Sequence, residues 1–278
     1  SLHDALPIST MQSFIKIDPQ NYIDYYDGVL LDECHHLQSE KSTYSTIFKN
    51  LLAPIRLGFT ATTRTTDEAI LVNEGLLGPV IETTTIQEAA ELGILAKPKL
   101  KLIKAKYNPS ITDLRKYADV YTYGIVKNEQ RTKQIAEIVQ DFYGQNKTGL
   151  IFVTQIEHGK LIIAEIKNLF QYKAPFIQGE MPYEIREEIK TKLIKNKIKI
   201  CVATTSWREG VDIPNLDYVI LSGGGKSEIQ TLQGIGRGLR KTKDKDSVII
   251  VDFLDLSHNY LIRQTGERLA VYSDNNWL

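Results

Sequence analysis

Short apolar runs alternate with helical stretches along most of this chain, and that alternation restricts the fold more than any other feature. Val29 to Leu31, Arg56 to Phe59 and Val80-Ile81 read as short strands, with helical stretches near Ser42 to Leu52 and Thr66 to Glu74. The second half repeats the scheme. Gly149 to Val153, Ile198 to Ala203, Tyr218 to Leu221 and Ser247 to Asp252 read as further strands. Behind Asn128, a good N-cap residue, Ile135, Ile138, Val139 and Phe142 recur at helical spacing. Ile162, Ile166 and Leu169, then Ile185, Ile189 and Leu193, give two more helices an apolar face. Strands separated by helices predict parallel sheets with crossover connections, an α/β class. The tail from Ser257 to Ala270 is expected to form a helix packed on the second sheet. A length of 278 residues suffices for about two domains.

The apolar run Gly28 to Leu31 ends in Asp32-Glu33-Cys34-His35. Adjacent acids at a strand end suit a magnesium-bound nucleotide. One carboxylate can hold the metal, directly or through water, and the next can take a proton from the attacking water. An acidic pair in this place also serves as a helix N-cap. Two further stretches add weight to the first reading: Gly58-Phe59-Thr60-Ala61-Thr62-Thr63, and Gln233-Gly234-Ile235-Gly236-Arg237-Gly238-Leu239-Arg240. Arg237 and Arg240 share a face of a predicted helix. A planar, permanently charged guanidinium suits a phosphate that is gaining charge; a surface salt bridge is the alternative role. The run Ser222 to Ser227 (SGGGKS) imitates a phosphate-binding loop. However, Ile220 stands where G-x-x-x-x-G-K-[ST] requires its first glycine, so the run reads as a turn opening a helix.

Lys plus Arg and Asp plus Glu number 34 each, so net charge neither favours nor excludes nucleic acid. Any phosphate-binding surface must be a local patch. The two cysteines, Cys34 and Cys201, point to a reduced intracellular protein. No apolar run approaches the roughly 18–20 residues that span a bilayer, and the start SLHDALPIS has no signal-peptide pattern.

In order and spacing, these motifs resemble the superfamily 2 helicases and translocases, motor ATPases that act on nucleic acid. Asp32 to His35 is similar to their motif II, in a DECH variant, and Thr60-Ala61-Thr62 to motif III. Cys201 to Pro214 (CVATTSWREGVDIP) is similar to motif V, and Gln233 to Arg240 to motif VI. The DECHH run, the Gly-Gly-Gly-Lys-Ser before motif VI and Gly-Arg-Gly-Leu-Arg within it resemble phage DNA helicases of the UvsW type. Ile8 to Phe14 (ISTMQSF) is similar to motif Ib.

The resemblance implies two RecA-like domains in tandem, the first truncated at its N-terminus, with ATP in the cleft between them. Asp32 would hold Mg2+ through water, and Glu33 would orient and deprotonate the attacking water. His35 would sense the nucleotide by bonding toward Gln233, and Arg237 and Arg240 would be arginine fingers. Gly210 and Asp212 would meet the ribose, and Thr60 and Thr62 would couple hydrolysis to strand movement. Ser9, Thr10, Gln12, Gly179, Thr204 and Thr205 would contact the nucleic-acid backbone. The expected partner is DNA, single-stranded, forked or branched, rather than RNA, with no membrane and a monomeric chain. The expected location is the cytoplasm of a bacterium or phage-infected cell. The expected domains are 1–96, carrying motifs Ib, II and III, and 126–278, carrying motifs IV, V and VI with a C-terminal helix. An inter-domain region is expected over 97–125.

The resemblance places a phosphate-binding loop before Ile8, and the sequence contains none. The complete protein is therefore expected to be an ATPase, while these residues alone bind ATP poorly. Two alternatives follow: a nucleic-acid-binding fragment without turnover, or a double-strand translocase that does not unwind. The lysines at 97, 99, 101, 104 and 106, and at 190, 192, 195, 197 and 199, are explained by a solvated strand face and a helix C-terminus, or by a DNA path. Tyr22, Tyr25 and Tyr26 fit packing or base stacking. His3, Cys34, His35 and His36 match no structural zinc spacing.

Overall fold

A computed structural model of the chain describes residues 8–18, 21–60, 66–84, 86–207, 213–225 and 245–278. It divides into two compact units, Ser1–Thr83 and Thr84–Leu278. Each unit is built on parallel strands, as the alternation predicts.

In the first unit a short helix, α1 (Met11–Phe14), precedes β1 (Gly28–Leu31), α2 (Thr43–Asn50), β2 (Ile55–Gly58) and α3 (Asp67–Leu77). β1 and β2 pair in parallel, Gly28 beside Ile55 and Leu31 beside Gly58. The helices begin where the sequence supplies caps. Ser42 Oγ accepts the Ser45 N–H at 3.1 Å, and Thr66 Oγ1 accepts the Ala69 N–H at 3.3 Å. Asp67 and Glu68 add negative charge to the first turn of α3, where the helix dipole favours it. Leu31, Cys34, Leu37, Ile47, Phe48, Leu51 and Val72 close the core together with Tyr22. The opposite face of the strand pair stays open: Leu30, Ile55 and Phe59 are 62%, 59% and 55% exposed.

The second unit contains α4 (Ile86–Glu91), β3 (Lys97–Lys104), α5 (Tyr117–Tyr121), α6 (Glu129–Gly144), β4 (Gly149–Val153) and α7 (Ile156–Phe170). β5 (Phe176–Ile177), α8 (Tyr183–Ile194), β6 (Ile200–Thr204), β7 (Tyr218–Leu221), β8 (Ser247–Leu254) and α9 (Asn259–Asp274) follow among the described residues. Six strands form one parallel sheet in the order β3-β8-β7-β4-β6-β5. Both faces are covered. Leu150, Phe152, Cys201, Ala203, Val219 and Leu221 pack on one side with Leu193 and Tyr272. Ile151, Val153, Val202, Ile220 and Val251 pack on the other against Ile135 and Val139 of α6 and Ile162 and Ile166 of α7. Burial on both faces explains why these strands are nearly continuous apolar runs rather than alternating ones. Each such side chain stabilises the fold by about 1.5–3 kcal/mol.

Gly149 is required by its neighbour. A Cβ there would lie 2.0 Å from the Tyr218 ring, which is fully buried and stacks on Phe142 at 4.3 Å.

Three expectations change. Val80-Ile81 forms no strand among the described residues and is exposed. The lysine-rich stretch placed at the start of an inter-domain region is β3, paired along its length with β8 in the second sheet. Its lysines at 97, 99, 101 and 104 are exposed while Leu100 and Leu102 pack inward, which is the solvated-face arrangement. Finally, residues 117–125, also assigned to that region, belong to α5 and the one π-helical turn after it, Thr122–Val126. Gly124 in that turn lets Ile111 and Leu261 approach: a Cβ would meet their side chains at 3.0 and 3.1 Å.

Candidate nucleotide and nucleic-acid site

Asp32 and Glu33 follow directly on β1, and Thr60 follows on β2. Parallel strands present ligand-binding groups at their carboxyl ends, and these three residues occupy that end of the first sheet. The backbone turns sharply there. Glu33 takes the left-handed conformation, φ 53° and ψ 47°, uncommon for a residue other than glycine. Its N–H donates to Asp32 Oδ1 at 3.0 Å. The single 3₁₀ turn Cys34–His36 follows. Two bonds tie this corner to β2: Cys34 N–H donates to Phe59 O at 2.9 Å, and Phe59 N–H to Leu31 O at 2.8 Å. Gly58 makes the close approach possible, since a Cβ there would meet Leu77 at 2.5 Å and Cys34 Sγ at 3.1 Å. Burial pushes the Cys34 thiol above its ordinary pKa, and the charges of Glu33 and Asp32 add to the effect.

His35 joins the two stretches. Its Nδ1 lies 2.9 Å from Thr60 Oγ1 and 3.3 Å from Glu33 Oε2. A carboxylate only accepts, so a proton on Nδ1 satisfies both contacts. The His35 and His36 rings lie 4.2 Å apart. The acids, the imidazole and the first threonine predicted from the sequence therefore form one cluster. An exposed carboxylate at a strand end, with a second beside it, is a donor set that fits Mg2+ held largely by water and phosphate oxygens.

In the second unit the predicted contacts also gather at strand ends. Thr204 is the buried last residue of β6, and Thr205 opens a 3₁₀ turn to the buried Trp207. Gly179 lies in the exposed turn between β5 and α8. Ser9, Thr10 and Gln12 are exposed in the first unit. Thr10 Oγ1 caps α1, accepting the Ser13 N–H at 3.2 Å. Thr62, Gly210, Asp212, Gln233, Arg237 and Arg240 lie outside the described residues.

Some of the side chains with two possible roles take part in packing or ion pairs. On α8, Lys192 pairs with Glu188 at 2.7 Å and Lys190 with Glu187 at 3.7 Å. Tyr22 packs on Phe14 at 4.6 Å, whereas Tyr25 is exposed. Cys34 and Cys201 are buried free thiols. Among the described residues no group of three or more His, Cys, Asp or Glu could hold a metal ion. No described helix is long and apolar enough to cross a membrane.

One constellation escaped the sequence reading. Arg131 and Arg268 are fully buried with Asp252 and Asp255 at the carboxyl end of β8. Arg131 Nη1 pairs with Asp255 Oδ1, and its guanidinium lies 4.4 Å over the Phe253 ring. Arg268 Nε donates to Asp252 Oδ2 at 2.8 Å, and so does the Tyr272 hydroxyl. The signal was available. Arg131 shares the helix face of Ile135, Val139 and Phe142, and Arg268 that of Leu261, Thr265 and Tyr272, so each puts a charge on an apolar stripe. His158 is also fully buried there, with no hydrogen-bond partner for either ring nitrogen among the described residues.

Comparison with known proteins points the same way as the motifs. Residues 115–242 match the helicase conserved C-terminal domain, and residues 3–65 match the type III restriction enzyme res subunit family. These two matches, together with the relatives below, support a superfamily 2 helicase, the family that the motifs resemble. It is similar to the ATP-dependent DNA helicase uvsW of Enterobacteria phage T4, with 26% identity over 97% of this chain and 57% of that protein. It is also 28% identical to the DNA 3'-5' translocase XPB2 of Sulfurisphaera tokodaii, over 80% of this chain and 57% of that protein. The T4 UvsW crystal structure superposes with a TM-score of 0.55 at 25% identity, covering 95% of this chain and 55% of that one. Saccharomyces cerevisiae Dbp5, bound to RNA and ADP BeF3, shares the fold at a TM-score of 0.59 and 14% identity, covering 96% of this chain and 62% of that one. The chain spans a little over half the length of these relatives. Its tandem RecA-like α/β class agrees with the expectation from sequence.

Proposed function

We propose that the complete protein is an ATP-dependent DNA helicase or translocase, which hydrolyses ATP between two RecA-like domains and couples closure of that cleft to movement on DNA. The observation that carries this reading is the His35–Thr60 hydrogen bond beside Glu33. It links the acid pair that would hold Mg2+ and activate the attacking water to the threonine stretch that would report to the nucleic acid. The names of the relatives, an ATP-dependent DNA helicase and a DNA 3'-5' translocase, support the same reading.

The roles follow from the chemistry of the side chains. Asp32 would hold Mg2+ through water, and that ion would supply charge neutralisation on the phosphates. Glu33 accepts a proton from water as its oxygen bonds to the γ-phosphorus and the bond to the β-phosphate oxygen breaks. His35 would sense the nucleotide by bonding toward Gln233 when the cleft closes. Arg237 and Arg240 would stabilise charge on the transferred phosphoryl group, a contribution of roughly 10³–10⁵ in rate. Asp212 with Gly210 would meet the ribose, and Thr62 would join Thr60 in coupling. Ser9, Thr10, Gln12, Gly179, Thr204 and Thr205 would grip the sugar-phosphate backbone of single-stranded, forked or branched DNA without sequence preference. The proposed working unit is a monomer.

DNA-stimulated phosphate release by the complete protein, beside Glu33→Gln, tests the assignment. The substitution keeps the size and removes the base, so turnover should fall by at least about 10²-fold. Equal rates would remove Glu33 from the mechanism. A second reading concerns the 278 residues alone. They contain no G-x-x-x-x-G-K-[ST] segment, the usual source of backbone amides and a lysine on the phosphates. By themselves they should bind Mg-ATP weakly, with a Kd well above the micromolar range that corresponds to about −8 kcal/mol. Isothermal titration decides it, and tight binding would show this second reading wrong.

A further inference from the structure

After β7 the chain passes through Ser222, Gly223 and Gly224 before entering the stretch that bears Gln233, Arg237 and Arg240. The carbonyls of this short loop are held by the two buried arginines. Arg131 Nη2 donates to Ser222 O at 3.1 Å, and Arg268 Nη1 donates to Gly224 O at 2.7 Å. Arg268 Nη2 reaches Phe253 O at 2.7 Å, so the same guanidinium spans the loop and β8. Ser222 N–H closes the other side on Phe152 O at 3.1 Å. Gly224 has φ +65°, and a Cβ there would sit 3.0 Å from Asp255 Oδ2 and 3.0 Å from Ile125 Cδ1. The loop is thus held against α6, the π-helical turn and α9. Beyond the motif-bearing stretch, Lys245 Nζ donates to Pro214 O at 2.6 Å, the last residue of the motif V-like segment. Buried cations bonded to main-chain carbonyls therefore flank the stretch on both sides.

This is an expensive way to make a loop stable. Two guanidiniums and two carboxylates have been taken out of water, and an apolar cluster of the same volume would serve stability as well or better. What the charged cluster adds is direction: planar forks fix the loop carbonyls in angle as well as distance. We infer that Arg131 and Arg268 are positioning residues, which set the point and direction from which the segment carrying Gln233, Arg237 and Arg240 leaves the sheet. This rests on the reading above that Arg237 and Arg240 act on the nucleotide.

The test compares affinity for ADP with aluminium fluoride, a mimic of the transferring phosphoryl group, with affinity for ADP alone. It uses the complete protein with saturating DNA, on wild type, Arg268→Lys, Arg131→Lys and Arg237→Ala. Lysine retains the charge and loses the fork. The lysine variants should lose at least about tenfold in affinity for the mimic while ADP affinity stays within about twofold, and kcat should fall with little change in KM. Loss of folded protein alone would lower both affinities together and leave their ratio intact, and that result overturns the inference. Should the lysine variants not fold, Tyr272→Phe, which deletes one hydrogen bond to Asp252 and no charge, should shift the same ratio several-fold; an unchanged ratio there also overturns it. Arg237→Ala separates the two levels. If it leaves turnover intact, the nucleotide role of motif VI fails and the inference falls with it. If it abolishes turnover while the lysine variants keep the wild-type ratio, the positioning role alone is wrong.

Discussion

Thr60 Oγ1 and Glu33 Oε2 both face His35 Nδ1, so a single methyl-for-hydroxyl change probes the coupling without touching the acids. Thr60→Val removes a hydrogen bond worth about 1 kcal/mol, which corresponds to a several-fold fall in the DNA-stimulated part of ATP turnover. The DNA-independent rate should change less, and steady-state assays with and without DNA check this. His158 offers a second residue-level test. Burial, and then the neighbouring Arg131 charge, lower its pKa to about 3. The unfolded chain takes up this proton near 6.5, while the folded protein stays neutral until about 3. The unfolded state therefore binds more protons across that window. Stability tied to His158 is complete above about 6.5 and declines by about 1.4 kcal/mol per pH unit as the pH falls below it. Urea midpoints at pH 7 and pH 5 should differ less in His158→Gln than in the wild type.

At the level of single elements, β4 shows what can and cannot be read in advance. Its apolar run marks a strand buried on both faces, and the structure places Gly149–Val153 in the middle of the sheet. The run does not say why it begins with glycine. That reason lies on β7, whose Tyr218 lies across the glycine. Gly149→Ala should force the ring aside and cost about 1–3 kcal/mol, readable as a lower unfolding midpoint with unchanged m-value. β3 was harder to read. Its alternating lysines and leucines have strand period, but the charge suggested a connecting segment, and only pairing with β8, far away in sequence, makes it part of the sheet. Residues 117–126 hid for a related reason, because their helix is short and ends in a π turn. The acid pair, His35 and Thr60 were legible because their chemistry depends on residue type at the end of a strand. Arg131 and Arg268 were not read, because their meaning depends on carbonyls brought together by the fold.

For the molecule as a whole, the two units differ in how much they bury. The first has one small core and leaves Leu30, Ile55 and Phe59 exposed. The second covers its sheet on both sides. A two-stranded sheet with one open face is marginal by itself, so unfolding should not be two-state. Hydrogen exchange followed by mass spectrometry should show the β1 amides exchanging before those of β4; simultaneous exchange of both would contradict the division.

The outer strands of the larger sheet have one more consequence. One rim is β5, only two residues long, and the other is β3, studded with exposed lysines. A strand from a second copy would find too few carbonyls and amides on the first side, and would meet a row of ammonium groups like its own on the second. At the concentrations of a purified protein, the described edges of this sheet disfavour growth into a fibre.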